Sequence, residues 1–187
     1  TRRKPLCLTH HSDIVGEGYA NRIAQLYNRT NLQAILKKAS KIIVAQPDVI
    51  TSSLCLKKHE NKIEVIPIGV DADKFRPIDT EKKNNTIFFL SVLDKFHKFK
   101  GMDHLLRAMV NVKEEIPDAT LIVGGDGALL EHYRKEASSL GLGKNVEFLG
   151  FVPDEAMVEF YNRCCLFVMS TISAGQEPFG MVLLEAM

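Results

Sequence analysis

The chain has 187 residues, of which 45% are hydrophobic and 25% are charged, an ordinary balance for a globular protein of one or two domains. Its 24 Lys and Arg residues against 23 Asp and Glu residues leave a formal net charge of +1, so no overall field favours binding to nucleic acid. No apolar run approaches the roughly 20 residues of a membrane span. The four cysteines lack metal-ligand spacing, and the adjacent pair Cys164-Cys165 is a poor disulfide framework, which favours a reducing, cytoplasmic setting.

The first 70 residues alternate short apolar runs with longer segments in which apolar residues recur at helical spacing. The apolar runs end near Pro47 and Pro67, residues that cannot donate a hydrogen bond to a neighbouring strand. This pattern predicts strands at 6–9, 42–45 and 63–66. Helices are predicted between them at 19–39 and 47–58.

Residues 71–85 differ from their surroundings because they are polar, are interrupted by Pro77 and include the run Lys82-Lys-Asn-Asn85. Such a composition is typical of a linker. We therefore expect two structured parts, residues 1–70 and 86–187, joined by a linker at 71–85.

The second part repeats the alternation of strands and helices. In its first helix Leu105, Leu106, Met109 and Val112 share one face, and Gly141 suits the left-handed position that ends the next helix. The alternation predicts an α/β fold with a mostly parallel, doubly wound sheet, in which ligands bind beyond the carboxyl ends of the strands. The predicted strands are 87–93, 120–123, 146–149 and 166–169, and the predicted helices are 103–115, 128–140, one from about 153 and one from about 180.

The end of the chain is suited to bind an anion. A polar, Gly-containing loop at 170–176 follows the last strand, and Glu177-Pro-Phe-Gly180 precedes an apolar helix. Backbone N–H groups and the positive end of a helix dipole would face a diphosphate there. Glu185 is the sole ionisable residue of 180–187. Either it is buried with a partner such as ribose hydroxyls, or it lies on a narrow exposed stripe while Glu177 only complements the dipole.

Further motifs stand in a fixed order along the chain. Glu177 and Glu185 are separated by seven residues in the pattern Glu-Pro-Phe-Gly-x4-Glu-Ala-Met. Upstream stand Leu8-Thr-His-His-Ser-Asp13, Val65-Ile-Pro-Ile-Gly-Val-Asp71 with Phe75-Arg-Pro77, Leu93-Asp94 with Lys100-Gly101, Ile122-Val-Gly-Gly-Asp-Gly127, and Gly150-Phe-Val-Pro-Asp-Glu155. Over nearly its whole length the chain therefore resembles the family-4 retaining glycosyltransferases (glycosyl transferase group 1).

The resemblance implies the GT-B fold, which consists of two Rossmann-like domains. Residues 1–70 would be the end of the N-terminal, acceptor-side domain, and 86–187 an incomplete nucleotide-sugar-binding domain. The implied reaction moves a hexosyl group, with retention and without a metal or other cofactor, from a UDP-sugar or GDP-sugar to a glycan, lipid or small-molecule acceptor. The implied setting is polysaccharide biosynthesis in the cytoplasm, with peripheral contact at the inner face of the membrane and no nucleic-acid partner.

The resemblance also implies roles for individual residues. His11 would face the anomeric centre, and Lys100 would neutralise the diphosphate and stabilise the leaving group. Glu177 would hydrogen-bond hydroxyls of the donor sugar, and Glu185 would hold the ribose hydroxyls. Backbone N–H groups would be offered by Phe179, Gly180, Met181 and Val182.

Other positions keep two interpretations. His97 and Lys98 belong either to a phosphate-reaching loop or to a solvated one. Val92 stands where the family usually has Arg, so His97 or Lys98 would supply the missing charge. Val152 lines either the base pocket or the core. Gly125 lies in a tight turn that we expect near the sugar nucleotide.

Two other functions are alternatives to sugar transfer. The spacing of Gly124-Gly-Asp-Gly127 is not that of a GxGxxG fingerprint, so a nicotinamide-dependent oxidoreductase fits the fold class only. A non-catalytic module that binds a sugar nucleotide or a partner is the alternative to an enzyme. Because the resemblance begins late in one domain and stops within the other, we expect the chain alone to bind nucleotide poorly and to transfer sugar slowly or not at all.

Overall fold

The computed structural model describes residues 4–16, 18–173, 177 and 179–187. The chain forms two compact units. Unit 1 contains the described residues up to Gly69 together with Glu177 and Phe179, and unit 2 contains Val70–Ser173 and Gly180–Met187. Each unit has a parallel sheet with helices in the connections, which confirms the predicted α/β class.

Unit 1 is built on a three-stranded parallel sheet in the order β1-β2-β3. Its core comes from alternate residues of the central strand, Ile42 and Val44, packed against Leu36 and Leu56, all four fully buried. The elements are β1 (Cys7–Thr9), α1 (Tyr19–Tyr27), a π-helical segment (Asn28–Leu32), α2 (Gln33–Lys38), β2 (Lys41–Val44), α3 (Asp48–Ser52) and β3 (Ile63–Val65).

The predicted helix at 47–58 is wrong in length, because α3 ends at Ser52. The Asp13 carboxylate accepts a hydrogen bond from the Ser53 hydroxyl at 2.6 Å and from the Leu54 N–H at 3.1 Å. Because the Leu54 N–H is bonded to Asp13, it does not continue the hydrogen-bonding pattern of the helix. Turns connect this point to β3. The predicted helix at 19–39 is helical over most of its length but contains the π-helical segment, in which the Thr30 hydroxyl donates to the Leu26 carbonyl.

Unit 2 is built on a four-stranded parallel sheet in the order β6-β5-β4-β7. Two predicted strands are shorter than expected, since β4 ends at Leu90 and β7 at Phe167. The elements are β4 (Thr86–Leu90), α4 (Met102–Glu115), β5 (Thr120–Gly124), α5 (Leu130–Ser139), β6 (Val146–Gly150), α6 (Asp154–Arg163), β7 (Leu166–Phe167) and α7 (Met181–Ala186).

The two faces of this sheet bury separate cores. Successive residues of a strand point to opposite faces, so the neighbours Phe88 and Phe89, both fully buried, belong to different clusters. Phe89 packs with Leu106, Met109 and others from α4 and α5. Phe88 packs on the other face with Tyr161 of α6. The predicted apolar face of α4 is confirmed, because Leu105, Leu106 and Met109 are buried and Val112 packs against them.

The stretch expected to be a linker packs along α6 of unit 2. Phe75 meets Tyr161 edge to face at 6.1 Å. The Asn162 side chain donates to the Arg76 carbonyl at 3.1 Å and accepts from the Ile78 N–H at 3.0 Å. The assignment of 71–85 as an interdomain linker stays a prediction. Among the helices that the structure describes, none is long and apolar enough to cross a lipid bilayer.

Candidate functional site

The carboxyl ends of the strands in unit 2 form one edge, because all four strands run parallel. Hydrogen bonds join the loops that follow β4 and β5. The Ser91 N–H donates to the Gly124 carbonyl at 3.1 Å, the Leu93 N–H donates to the Asp126 carbonyl at 2.9 Å, and the Leu129 N–H donates to the Leu93 carbonyl at 2.8 Å. The two loops are therefore fixed to each other at the edge where a ligand is expected.

Glycine is required at two positions of the β5 loop. Gly125 and Gly127 have φ angles of +129° and +151°. A Cβ at either position would overlap the Ser91 or the Leu93 carbonyl oxygen, respectively. Close packing of two loops thus accounts for these glycines, and the expected contact of Gly125 with a sugar nucleotide stays a prediction.

The segment Lys95–Lys100 is a 3₁₀ helix rather than an irregular loop. Asp94 Oδ1 caps its start by accepting from the Phe96 N–H at 2.8 Å, the His97 N–H at 3.0 Å and the His97 Nδ1 atom at 2.8 Å. The hydrogen bond with the His97 side chain is the main reason why the pKa of Asp94 lies below its usual value. The cap orders a turn in which four of the six residues are basic or histidine.

The far end of this 3₁₀ helix is fixed to the segment that follows β7. The Phe99 carbonyl accepts from the Ile172 N–H at 2.8 Å, and the Lys100 carbonyl accepts from the Ser170 hydroxyl at 2.8 Å. Gly101 has a φ of +74°, and a Cβ there would overlap the Ser170 carbonyl oxygen. The Lys100 ammonium lies 5.5 Å from the centre of the Phe99 ring. The backbone of Lys100 is therefore fixed by hydrogen bonds to the segment after β7.

Val152 lies in the loop after β6 and is only 8% exposed. A Cβ on Gly124 would come within 2.8 Å of its Cγ2 atom, so its side chain packs tightly onto the end of β5. Phe151, in contrast, is 77% exposed. Packing against β5 explains why an apolar residue stands at position 152. The expected contact of Val152 with the base of a nucleotide stays a prediction.

Glu185 on α7 has a protein partner. The Tyr161 hydroxyl on α6 donates to Glu185 Oε2 at 2.9 Å. Burial and this carboxylate raise the pKa of Tyr161. Of the two interpretations of Glu185, the structure favours a partly buried carboxylate with a partner, but the partner is a phenol. The surrounding cleft is also lined by Phe75, Arg76 and Asn162.

The remaining residues of the terminal motif are only partly described. Gly180, Met181 and Val182 lie at the start of α7 and are partly buried. Glu177 and Phe179 are also partly buried and fall with unit 1. The predicted anion site includes residues 174–176 and 178, which lie outside the described residues.

His11 lies beyond the carboxyl end of β1 in unit 1 and is exposed. Its neighbour His10 is 5% exposed, and His10 Nε2 lies 3.2 Å from Asp13 Oδ1. Burial lowers the pKa of His10, and Asp13 opposes that effect. Through Ser53 and Leu54, Asp13 also anchors the loop to the turn after α3. The loop that carries His11 is therefore held by its neighbours.

The structure thus brings some of the expected residues together. His97, Lys98 and Lys100 share one 3₁₀ helix, and the preceding Asp94 lies beside the loop of Gly125 and Gly127. Glu185 is held by α6, and His11 belongs to unit 1. Sequence reasoning missed Asp94, Tyr161 and Ser170 as partners of these residues, and it missed that Asp13 anchors the loop that carries His11. An Asp placed before a turn signals a cap, but the other three contacts join distant segments.

Known proteins match this chain over nearly its whole length. Residues 71–187 match the family model described as Glycosyl transferases group 1. The chain is 33% identical over 183 residues to O-antigen chain mannosyltransferase C of Escherichia coli, covering 95% of this chain and 46% of that protein. It is 30% identical over 188 residues to D-rhamnosyltransferase WbpZ of Pseudomonas aeruginosa, covering 97% and 46%. The chain spans about half the length of these curated relatives.

A solved structure gives the same fold. The crystal structure of Anabaena Alr3699/HepE in complex with UDP and glucose matches with a TM-score of 0.74 and 21% identity, covering 98% of this chain and 50% of that one. At this identity the likeness shows the fold alone. It confirms the expected fold class, that of the GT-B glycosyltransferases.

Proposed function

This chain belongs to the Glycosyl transferases group 1 family, and on that basis we propose that unit 2 binds the nucleoside-diphosphate sugar from which a hexosyl group is transferred with retention. The whole protein would be a hexosyltransferase acting on a glycan, lipid or small-molecule acceptor. Relatives named as a mannosyltransferase and a D-rhamnosyltransferase support hexosyl transfer. A fold neighbour in complex with UDP and glucose supports a UDP- or GDP-sugar as donor.

The observation that carries the proposal is the 3₁₀ helix Lys95–Lys100 at the carboxyl edge of unit 2. Hydrogen bonds fix it to the segment after β7, and its capping residue Asp94 lies beside the loop after β5. His97, Lys98 and Lys100 therefore stand on ordered backbone where a parallel α/β sheet binds ligands. Cationic groups that are already ordered stabilise a developing negative charge without having to reorganise.

The chemistry needed from these residues is charge stabilisation. When the bond between the sugar and the diphosphate breaks, negative charge accumulates on the leaving phosphate. Lys100 would neutralise that charge, and His97 or Lys98 would supply the charge that Val92 lacks. Amides of Phe179, Gly180, Met181 and Val182 would bind the sugar and diphosphate. With cationic side chains in this role, we propose that transfer needs neither a metal nor another cofactor.

The other roles stay proposals of the same kind. Glu177 would bind hydroxyls of the donor sugar, and Glu185, held by Tyr161, would bind the ribose. Gly125 and Val152 would lie close to the sugar nucleotide and to the base. His11 would face the anomeric centre. Following the O-antigen relative, we place the protein in surface-polysaccharide biosynthesis in the cytoplasm, at the inner face of the membrane.

Ligand-observed NMR of the chain with UDP and with GDP tests donor binding. We expect saturation transfer to at least one of the two nucleotides. Lys100→Ala should weaken that binding about tenfold, because a hydrogen bond to a charged group contributes roughly 1.5–3 kcal/mol. Lys144→Ala is the matched control, since Lys144 is exposed in the turn before β6. Absence of binding to both nucleotides, or equal binding by the Lys100 variant, would contradict the proposal.

A further inference from the structure

Three metal-ligating side chains meet on the outer surface of α4 and α5. Asp103 lies in the first turn of α4, and His132 lies in the first turn of α5. Glu136 follows His132 by four residues, so the two side chains share one face of α5. None of the three belongs to a motif that the sequence analysis singled out, and the proposed function uses none of them.

The two distances from His132 are too long for hydrogen bonds but suit ligands of one ion. His132 Nε2 lies 3.7 Å from Glu136 Oε2 and 4.0 Å from Asp103 Oδ1. One ligand atom from each residue lies within 4.8 Å of the other two. Two ligands bound to the same tetrahedral zinc ion at about 2.0–2.2 Å lie about 3.4 Å apart. Side-chain movements of about an ångström would therefore close the site.

Glu136 supplies a second, independent observation. Its Oε2 atom is buried, and in the part of the chain that the structure describes it accepts no hydrogen bond. A buried carboxylate oxygen without a partner is costly. Asp103 carries like charge beside it, which adds to that cost. A cation bound between the two carboxylates would relieve both effects.

We propose that Asp103, His132 and Glu136 form a binding site for a divalent transition-metal ion, with zinc as its natural occupant. One imidazole nitrogen and two carboxylate oxygens are a ligand set that zinc accepts, and water would complete the coordination. His132 is 54% exposed, so the ion can enter from solvent. The hard ions magnesium and calcium prefer oxygen ligands alone and would bind more weakly.

The consequence would be a brace between two helices. Asp103 follows the 3₁₀ helix Lys95–Lys100 by three residues, and His132 follows the loop of Gly125 and Gly127 by five. An ion that joins the first turns of α4 and α5 would hold together the segments that follow both loops. The inference concerns a site separate from donor binding and does not depend on the proposed function.

The same three residues could instead form an ion-pair network on the surface, with a charged imidazole between two carboxylates. Such exposed pairs contribute little to stability. The two interpretations differ in one measurable respect, because only a metal site binds zinc in a one-to-one ratio and loses that binding when any one ligand is removed.

Isothermal titration of the chain with ZnCl₂ tests the site. We expect a single saturable binding event. Loss even of an outer-shell partner weakens metal binding about 10–100-fold, so His132→Ala should weaken zinc binding at least about tenfold. Glu136→Gln should weaken it likewise. His104→Ala is the matched control, because His104 is exposed on α4 next to Asp103 and should leave binding unchanged. Circular dichroism melts would verify that each variant folds.

A cobalt substitution identifies the ligands. We expect Co²⁺ to give a spectrum without a thiolate charge-transfer band, which would exclude the exposed Cys7 and Cys165 as ligands. MgCl₂ in place of ZnCl₂ should give much weaker binding. The proposal is overturned if zinc does not bind to the unaltered chain, if His132→Ala binds it as tightly, or if the cobalt spectrum shows thiolate ligation.

Discussion

The Tyr161 hydroxyl on α6 donates a hydrogen bond of 2.9 Å to the Glu185 carboxylate on α7. Tyr161 is 8% exposed and touches the rings of Phe75, Phe88 and Phe167. The hydrogen bond therefore ties the glutamate that we propose for ribose binding to an aromatic cluster in the core of unit 2. The position of Glu185 depends on that core.

Tyr161→Phe should lower the free energy of unfolding by about 1–2 kcal/mol, because it leaves a partly buried carboxylate without its hydroxyl donor while keeping the ring packing. Chemical denaturation of the variant measures this. Glu185→Gln should cost less, since the amide oxygen still accepts the bond. If the double variant shows strictly additive losses, the two side chains are not coupled as the structure indicates.

Gly101→Ala should destabilise the chain by about 1–3 kcal/mol, the range for a backbone forced into a sparsely populated conformation. Its φ of +74° and the close approach of the Ser170 carbonyl both oppose a Cβ. Because Lys100 is the preceding residue, nucleotide binding should weaken as well. Gly143→Ala is the matched control, since an added Cβ meets nothing within 4 Å there. Equal melting temperatures for the two variants would contradict the packing described for this edge.

Asp94→Ala should lower the melting temperature and weaken nucleotide binding, because it removes all three hydrogen bonds that cap the 3₁₀ helix. Asp94→Asn should retain most of both properties, since Asn is also a good cap. The pKa of Asp94 is lowered in the folded state. The Asp94 carboxylate therefore contributes fully to the free energy of unfolding above its ordinary pKa, and this contribution is lost as the pH falls through the lowered pKa. Thermal melts from neutral pH to about pH 3 measure it. Identical melts for Asp94→Ala and the unaltered chain would show that the cap has no role.

Unit 1 should lose stability as the pH falls below about 6.5. His10 and His59 are buried, and burial lowers the pKa of both. As the pH falls, both histidines bind protons in the unfolded chain before they do so in the folded chain. The free energy of unfolding that is present at neutral pH therefore declines as the pH falls from the ordinary histidine pKa towards the lowered pKa values of the folded state. Denaturation midpoints at several pH values test this. His59→Asn should reduce the slope, whereas His104→Asn, at an exposed position, should not. An unchanged slope in the His59 variant would count against the expectation.

The sequence predicted the strands of both units in the right order because a strand in a parallel sheet is a short apolar run, which is visible locally. It predicted α4 nearly residue by residue from the spacing of Leu105, Leu106 and Met109. It failed on α3, where Asp13, some forty residues earlier in the chain, captures Ser53 and Leu54. A local pattern contains no information about such a partner.

For the candidate site too, the sequence predicted some features and missed others. Residue identity and spacing alone indicated Lys100, His97, Glu177 and Glu185, because the motifs that resemble the family are continuous in the sequence. Their surroundings did not follow from the motifs. The motif predicts a tight turn at Gly125 near the sugar nucleotide, and only the structure shows that the Ser91 carbonyl leaves no room for a Cβ there. For Glu185 the sequence left two interpretations open, and the Tyr161 hydroxyl favours one of them.

The class of fold, the family and the residue types that we propose for sugar-nucleotide binding follow from hydrophobic periodicity and short motifs, which are local properties of the sequence. Which side chains meet depends on how distant segments pack in the folded chain. The order β6-β5-β4-β7 brings the loops after β4, β5 and β7 to one edge, and the packing of α4 against α5 gathers Asp103, His132 and Glu136. Contacts of this kind join segments that are far apart in the chain, and the packing of helices on the sheet fixes them.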